Sequence, residues 1–100
     1  MSASTNANNL DELRSLVDEI DAEIIGLLAK RFAATDKIGA FKARAGIAAV
    51  DPEREERQRV RYTNLASKYD LSETLIQTIF RVVISEVVAN HTALASNCAE

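Results

Sequence analysis

The chain has 100 residues, of which 47% are hydrophobic, and a net charge of −3. This size suits one small globular domain. The chain has few turn-forming residues and many Ala, Leu, Ile, Glu and Lys, and this composition favours an all-helical fold. The acidic balance argues against a nucleic-acid surface, the lone Cys98 excludes an internal disulfide or a cysteine-rich metal site, and no apolar run is long enough for a membrane span.

The first of three predicted helices is the longest. Asn9 can cap its N-terminus, and Glu12, three residues later, can reach back as in a capping box. The helical pattern then continues without a break to about Arg44, before Gly46. We therefore predict one helix across nearly the first half of the chain.

This helix carries an apolar seam. Apolar side chains recur at alternating steps of four and three residues, a spacing typical of a helix that packs along another helix. They are Leu13, Val17, Ile20, Ile24, Leu27, Ala34, Ile38 and Phe41. A helix of this length measures roughly 50 Å, whereas a compact domain of this size has a radius of gyration of only about 13 Å. We therefore predict an intertwined homodimer in which the two first helices pack along each other.

Arg31 occupies a position in this seam where the pattern asks for an apolar side chain. A buried cation needs a partner, which could be an acidic neighbour such as Glu55 or an anionic ligand. Lys42 lies eleven residues later, which returns it to within roughly 20° of the same helix face. Arg14 lies about 25 Å before Arg31 along the axis, so it could reach a shared ligand only from the other chain of an antiparallel dimer.

The second helix is predicted to begin at Asp51 and Pro52, since Asp is a good N-cap and Pro suits the first helical position. It ends near Tyr69, and its first turn carries Arg54 and Glu55. Its other charged residues fit a solvated helix surface.

The third helix is predicted to start after Ser72 as its N-cap and to run into the last ten residues. His91 shares one side of this helix with the apolar residues Phe80, Ile84 and Val87. A lone histidine beside apolar neighbours is often structural, so the pattern leaves its role open.

We expect one domain over residues 1–100, with disorder at residues 1–8 and about 96–100. The single thiol of Cys98 fits a reducing compartment, and the polar start, MSASTNANN, lacks the apolar region of a signal peptide. We therefore expect a cytoplasmic protein without nucleic-acid or membrane partners.

Four stretches together resemble the all-helical chorismate mutases. They are LDELRSLVDEIDAEIIGLLAKR, GAFKAR, the loop into DPERE, and LIQTIFRVVISEVVANH. The resemblance runs from Leu10 to about His91. It implies an interlaced helical homodimer with two equivalent sites that rearranges chorismate to prephenate for Phe and Tyr biosynthesis. It also implies that no cofactor or metal takes part, because the reaction is a concerted rearrangement.

The resemblance assigns catalytic roles to Arg31, Lys42 and His91. Arg31 and the partner subunit's Arg14 would bind the two carboxylates of chorismate, for which the planar guanidinium is well shaped. Lys42 would contact a carboxylate and the ether oxygen of the bond that breaks. His91 stands where the family usually has a glutamine that donates to the ether oxygen, and Val87 replaces a small polar residue.

The second helix would supply further substrate contacts. Asp51, Arg54 and Glu55 match the family's site positions there, and Glu55 would accept a hydrogen bond from the ring hydroxyl. The apolar residues expected to wall the pocket are Ile38, Ile84, Val87 and Val88.

Two other functions remain open from the sequence. Isochorismate pyruvate lyases of the salicylate and siderophore pathways share this fold, and they resemble the chain at Arg14, Arg31 and Lys42 and in the PER turn. Glu55, which follows that turn, favours the mutase because it offers an acceptor for chorismate's hydroxyl. A non-catalytic helical dimer would instead use the seam cations only for structure.

Overall fold

The computed structural model describes residues 9–98 and consists there of three α-helices without a strand. Helix α1 spans Leu10–Ala45, α2 spans Pro52–Lys68 and α3 spans Glu73–Cys98. The prediction of an all-helical chain with a long first helix is confirmed, while the homodimer stays a prediction. The disorder expected at residues 1–8 and at the last two residues lies outside the described residues, and the backbone of α3 is helical as far as Cys98.

The predicted N-caps are confirmed for all three helices. Asn9 Oδ1 accepts from the Glu12 backbone N–H at 2.9 Å, and the Asn9 side-chain amide donates to Glu12 Oε1 at 3.0 Å. Asp51 Oδ1 accepts from the Arg54 N–H at 3.1 Å. The next helix is capped by the hydroxyl of Ser72, which accepts from a backbone N–H at 3.1 Å. Each cap satisfies a backbone donor that the helix itself leaves unpaired.

The C-termini of α1 and α2 share one turn geometry. After α1, Gly46 has φ 72° and the Ile47 N–H donates to the Lys42 carbonyl at 2.8 Å. After α2, Asp70 has φ 57° and the N–H of the next residue donates to the Ala66 carbonyl at 2.8 Å. This is the Schellman pattern, in which a left-handed residue turns the chain away from the helix. Glycine adopts that conformation without strain, whereas Asp70 carries a Cβ that makes it less favourable.

Contacts within the chain divide it into two units, one up to Ala34 and one from Thr35 onward. The described part of the first unit is a single stretch of α1 with a largely exposed apolar seam. The side chains at its first five apolar seam positions are between 43% and 62% exposed. The single domain over residues 1–100 therefore stays a prediction.

The second unit has a small core between α2 and α3. The rings of Tyr62 and Phe80 stack at a centroid distance of 4.3 Å, and Ala66 and Val83 are buried beside them. The spacing of Tyr62 and Ala66, four residues apart, puts both on one face of α2. This core fixes which face of α3 meets α2.

Hydrogen bonds made by side chains reinforce the contact of α2 with α3. The Gln77 amide donates to the Arg59 carbonyl at 2.8 Å and to Thr63 Oγ1 at 3.0 Å. Thr63 Oγ1 in turn donates to Glu73 Oε2 at 2.9 Å.

Across residues 9–98, no helix combines the length and the apolarity needed to cross a membrane.

Candidate functional site

The predicted site residues of α1 lie in both units, and each unit is described by itself. In the unit that ends at Ala34, Arg14 is exposed and Arg31 is half-buried. In the unit that follows, Lys42 is half-buried and Ile38 is 49% exposed. Of the three predicted site cations of α1, Arg31 and Lys42 are thus partly shielded, and Arg14 is open to solvent.

The start of α2 positions three predicted residues. Asp51 is exposed and its carboxylate caps the helix through the Arg54 N–H, so part of its role is structural. The Arg54 side chain is exposed, and Glu55 in the first turn is half-buried. The N-terminal turn therefore presents one cation to solvent and one shielded carboxylate.

An open cleft of about 560 Å³ lies between α2 and α3. Glu55 and Ile84, both predicted site residues, line it together with Arg59, Gln77 and Arg81. Its size falls within the range of small-molecule sites. The structure thus brings two of the predicted residues to one cleft.

Several polar residues that line this cleft were not predicted as site residues, among them Arg59, Gln77 and Arg81. In the sequence, Arg59 fits a solvated helix face, and Gln77 and Arg81 carry no separate signal. Their helical spacing is visible in the sequence, because Arg59 follows Glu55 by four residues while Gln77 and Arg81 precede Ile84 by seven and three. The meeting of these two faces, however, depends on packing between helices.

Arg59 forms an ion pair on the rim of the cleft. Its guanidinium donates to both carboxylate oxygens of Glu56, at 3.1 and 2.7 Å. This hydrogen bonding, together with the positive charge of Arg59, lowers the pKa of the Glu56 carboxyl. The same hydrogen bonds, together with the negative charge of Glu56, raise the pKa of Arg59. Both side chains are exposed, at 55% and 62%, so the pair contributes little to stability.

His91 is buried against α1. It is 5% exposed, and its Nε2 lies 2.8 Å from the Thr35 carbonyl oxygen. Because a carbonyl oxygen only accepts, Nε2 carries the proton in this bond. Within the described part of the chain, Nδ1 is also buried and has no hydrogen-bond partner. Val87 and Val88, one turn earlier on α3, are half-buried.

Gly39 lets the imidazole lie this close to α1. A Cβ at position 39 would fall 2.9 Å from His91 Nε2 and closer still to Cδ2. Real Cβ atoms do not tolerate such contacts, so any larger residue would displace the ring. No local pattern indicates this contact, because it joins residues 52 positions apart.

The described residues hold no group of three or more His, Cys, Asp and Glu side chains that could bind a metal ion. The unit from Thr35 onward offers the half-buried cation Lys42 on α1, a shielded carboxylate at the start of α2 and a buried imidazole on α3. Groups of these kinds can bind an organic anion or donate hydrogen bonds to it.

Comparison with known proteins shows where this arrangement belongs. The family model described as chorismate mutase type II matches residues 13–92. A chorismate mutase of Methanocaldococcus jannaschii is 33% identical over 75 residues, which is 75% of this chain and 76% of that protein. A 4-amino-4-deoxychorismate mutase of Streptomyces venezuelae is 25% identical over 83 residues, covering 83% of this chain and 81% of the relative.

A longer relative contains a similar segment. The bifunctional chorismate mutase/prephenate dehydratase of Buchnera aphidicola is 33% identical over 87 residues, which are 87% of this chain but only 23% of that protein. The chain therefore corresponds to about a quarter of that relative. The match of the family model over most of its length and the similarity to the archaeal enzyme show that this chain belongs to the chorismate mutase type II family.

Proposed function

We propose that the chain is a chorismate mutase that converts chorismate to prephenate. The observation that carries this proposal is the family match over residues 13–92, a span that includes every residue assigned to the site. The cleft that Glu55 and Ile84 share adds support, because these two residues were predicted as a ring-hydroxyl acceptor and an apolar wall.

The reaction requires binding and electrostatics rather than a nucleophile. One carbon–oxygen bond of the ether breaks while a carbon–carbon bond forms within the same molecule, so atoms and electrons balance without a co-reactant. The protein has to hold the dianion in its compact conformer and to oppose the negative charge that develops on the ether oxygen. A preorganised donor at such an oxygen is commonly worth about 3 to 4 kcal/mol, and fixing the reactive geometry adds to this.

Named residues take these roles in the proposal. Arg31 and the partner subunit's Arg14 bind the carboxylates, while Lys42 donates to one carboxylate and to the ether oxygen. The partial burial of Arg31 and Lys42 supports these roles, since shielded cations bind anions more strongly than exposed ones. Glu55 accepts from the ring hydroxyl. The participation of Arg14 makes the homodimer part of the proposed enzyme.

The substrate is tested by incubating the chain separately with chorismate, isochorismate and 4-amino-4-deoxychorismate. We expect loss of chorismate with formation of prephenate. The amino substrate is included because of the similarity to the streptomycete enzyme. Release of pyruvate from isochorismate alone would support the lyase, and turnover of the amino compound alone would assign a different substrate to the same chemistry.

The non-catalytic alternative is tested with Arg31→Ala and the matched variant Lys30→Ala, whose side chain is exposed on the same helix. We expect Arg31→Ala to lose prephenate binding in a calorimetric titration while its far-ultraviolet circular dichroism stays like that of the parent. Loss of stability without any effect on ligand binding would support a structural role of the cation.

The cytoplasm is the proposed compartment. The single cysteine of the chain supports it, because a free thiol persists in a reducing environment. Fractionation of cells that express a tagged chain tests this, and recovery in a secreted fraction would contradict it.

A further inference from the structure

The two nitrogens of His91 have different environments. Nε2 is committed as a donor to the Thr35 carbonyl at 2.8 Å. Nδ1 is buried and, among the described residues, has no hydrogen-bond partner. The neutral ring is therefore held as the Nε2–H tautomer, with a lone pair on Nδ1.

This tautomer conflicts with donation to a ligand by the neutral ring. Carboxylate and ether oxygens only accept hydrogen bonds, and an Nδ1 that carries a lone pair cannot donate one to them. Rotation of the ring could expose Nε2–H, but that would leave the Thr35 carbonyl without this donor. Only the imidazolium ion can keep the bond to Thr35 and donate from Nδ1 as well.

In the unliganded chain, Nδ1 of His91 has no hydrogen-bond acceptor among the described residues. A proton on Nδ1 would create a buried donor without an acceptor, which is costly. An oxygen of a bound dianion would supply both the acceptor and an opposite charge. Because Nδ1 is out of reach of solvent in the unliganded chain, the side chains that cover it have to move when the ligand binds.

We propose that His91 takes up a proton at Nδ1 when the dianion binds, and that Thr35 and Gly39 are the positioning residues that reserve Nδ1 for this role. The inference rests on the proposed function. The proton comes from solvent, and Nδ1–H then donates to a ligand oxygen. Gly39 matters because a residue with a Cβ at this position would collide with the ring where it lies beside the Thr35 carbonyl.

Charged groups on all three helices act on the same equilibrium through their electric fields. Lys42 follows Thr35 by seven residues and Gly39 by three, so it lies on the same face of α1, and its positive charge opposes a second positive charge on His91. Glu55 of α2 and Glu86 of α3 carry negative charge that favours protonation. A test must therefore separate the contribution of His91 from these three groups.

The test is calorimetric titration with prephenate, in buffers of different ionisation enthalpy near neutral pH, on the parent chain and His91→Gln. We expect the parent chain to take up close to one proton per site more than the variant. Both proteins keep Lys42, Glu55 and Glu86, so the difference isolates His91. By linkage, the affinity of the parent for prephenate falls by up to about tenfold per pH unit as pH rises, and that of the variant falls less.

The outcomes separate this inference from the proposed function. Prephenate binding with equal proton uptake by both proteins would overturn the inference and leave the mutase assignment intact. No prephenate binding and no turnover of chorismate by the parent would overturn the proposed function itself.

The tautomer is tested without any ligand by nitrogen-15 NMR of the histidine ring. We expect the Nε2–H form in the free parent chain and loss of this preference in Gly39→Ala, whose Cβ would displace the ring. Gly26→Ala is the matched control, because nothing lies within 4 Å of a Cβ at that position in the chain. An Nδ1–H tautomer in the free parent, or an unchanged tautomer in folded Gly39→Ala, would overturn the inference.

Discussion

Lys42 is the residue on which the proposed rearrangement depends most. Its positive charge acts on an oxygen that gains negative charge only in the transition state, so it lowers the barrier more than it tightens substrate binding. We expect Lys42→Ala to reduce kcat by roughly 10²- to 10³-fold, the range found when one preorganised donor is removed. Steady-state kinetics with chorismate measure this effect.

The control for this prediction is Lys37→Ala, which removes an exposed lysine from the same helix. Both variants lose one positive charge, so a general effect of net charge on the attraction of a dianion would appear in both. A kcat near that of the parent in Lys42→Ala would contradict the proposed role.

At the same residue scale, the sequence predicted some site features and missed others for a physical reason. The carboxylate of Asp51 and the hydroxyl of Ser72 cap their helices as predicted, because a cap depends on only four consecutive residues. The contact of His91 with Gly39 was invisible, since it depends on a separation between helices that no local pattern encodes. The sequence singles out His91 by its apolar neighbours. It does not predict which ring nitrogen is free to bind a ligand, because that depends on the bond between Nε2 and the Thr35 carbonyl.

At the scale of elements, the three helices were predictable because their start signals are local. Asp70 is the exception, since a non-glycine residue in the left-handed conformation was not predicted at the end of α2. The faces that α2 and α3 turn toward each other were also not predicted. They depend on the stacking of Tyr62 on Phe80 and on the hydrogen bonds of Gln77, which join residues more than ten positions apart.

Gln77 provides a test of how much those hydrogen bonds stabilise the pair of helices. Gln77→Ala removes the donor to the Arg59 carbonyl and to Thr63 Oγ1, and the half-buried site gives water limited access to replace it. We expect the free energy of unfolding to fall by about 1 to 2 kcal/mol. Urea denaturation at one fixed protein concentration measures this, because the stability of a dimer depends on concentration.

Thr78→Ala is the matched control, since the exposed Thr78 hydroxyl donates only to the Thr74 carbonyl of its own helix. We expect its effect to stay within about 0.5 kcal/mol. Equal unfolding free energies for Gln77→Ala and the parent would show that the bonds between α2 and α3 contribute nothing net.

At the scale of the whole molecule, the apolar seam of α1 is the feature that calls for a second chain. In the unit that ends at Ala34, its side chains are exposed over several helical turns, and such a continuous apolar surface marks an interface. The exposed members are Leu13, Val17, Ile20, Ile24 and Leu27.

We expect sedimentation at micromolar concentration to give about twice the chain mass of 11.0 kDa. Ile24→Glu should shift this to the monomer, whereas Ala22→Glu, away from the seam, should not.

The same dimer makes a sharper prediction about Arg14. If each site combines Lys42 of one chain with the partner subunit's Arg14, then Arg14→Ala and Lys42→Ala are each nearly inactive alone. A mixed dimer of the two variants, however, contains one site with both changes and one site with neither. Random mixing of equal amounts makes half of the dimers mixed, so about a quarter of the parent activity should return.

If Arg14 instead serves the site of its own chain, every site in the mixture lacks one cation and activity stays low after the two variants are unfolded and refolded together. Assays of the mixture against the separately refolded variants therefore decide whether the two chains share their sites.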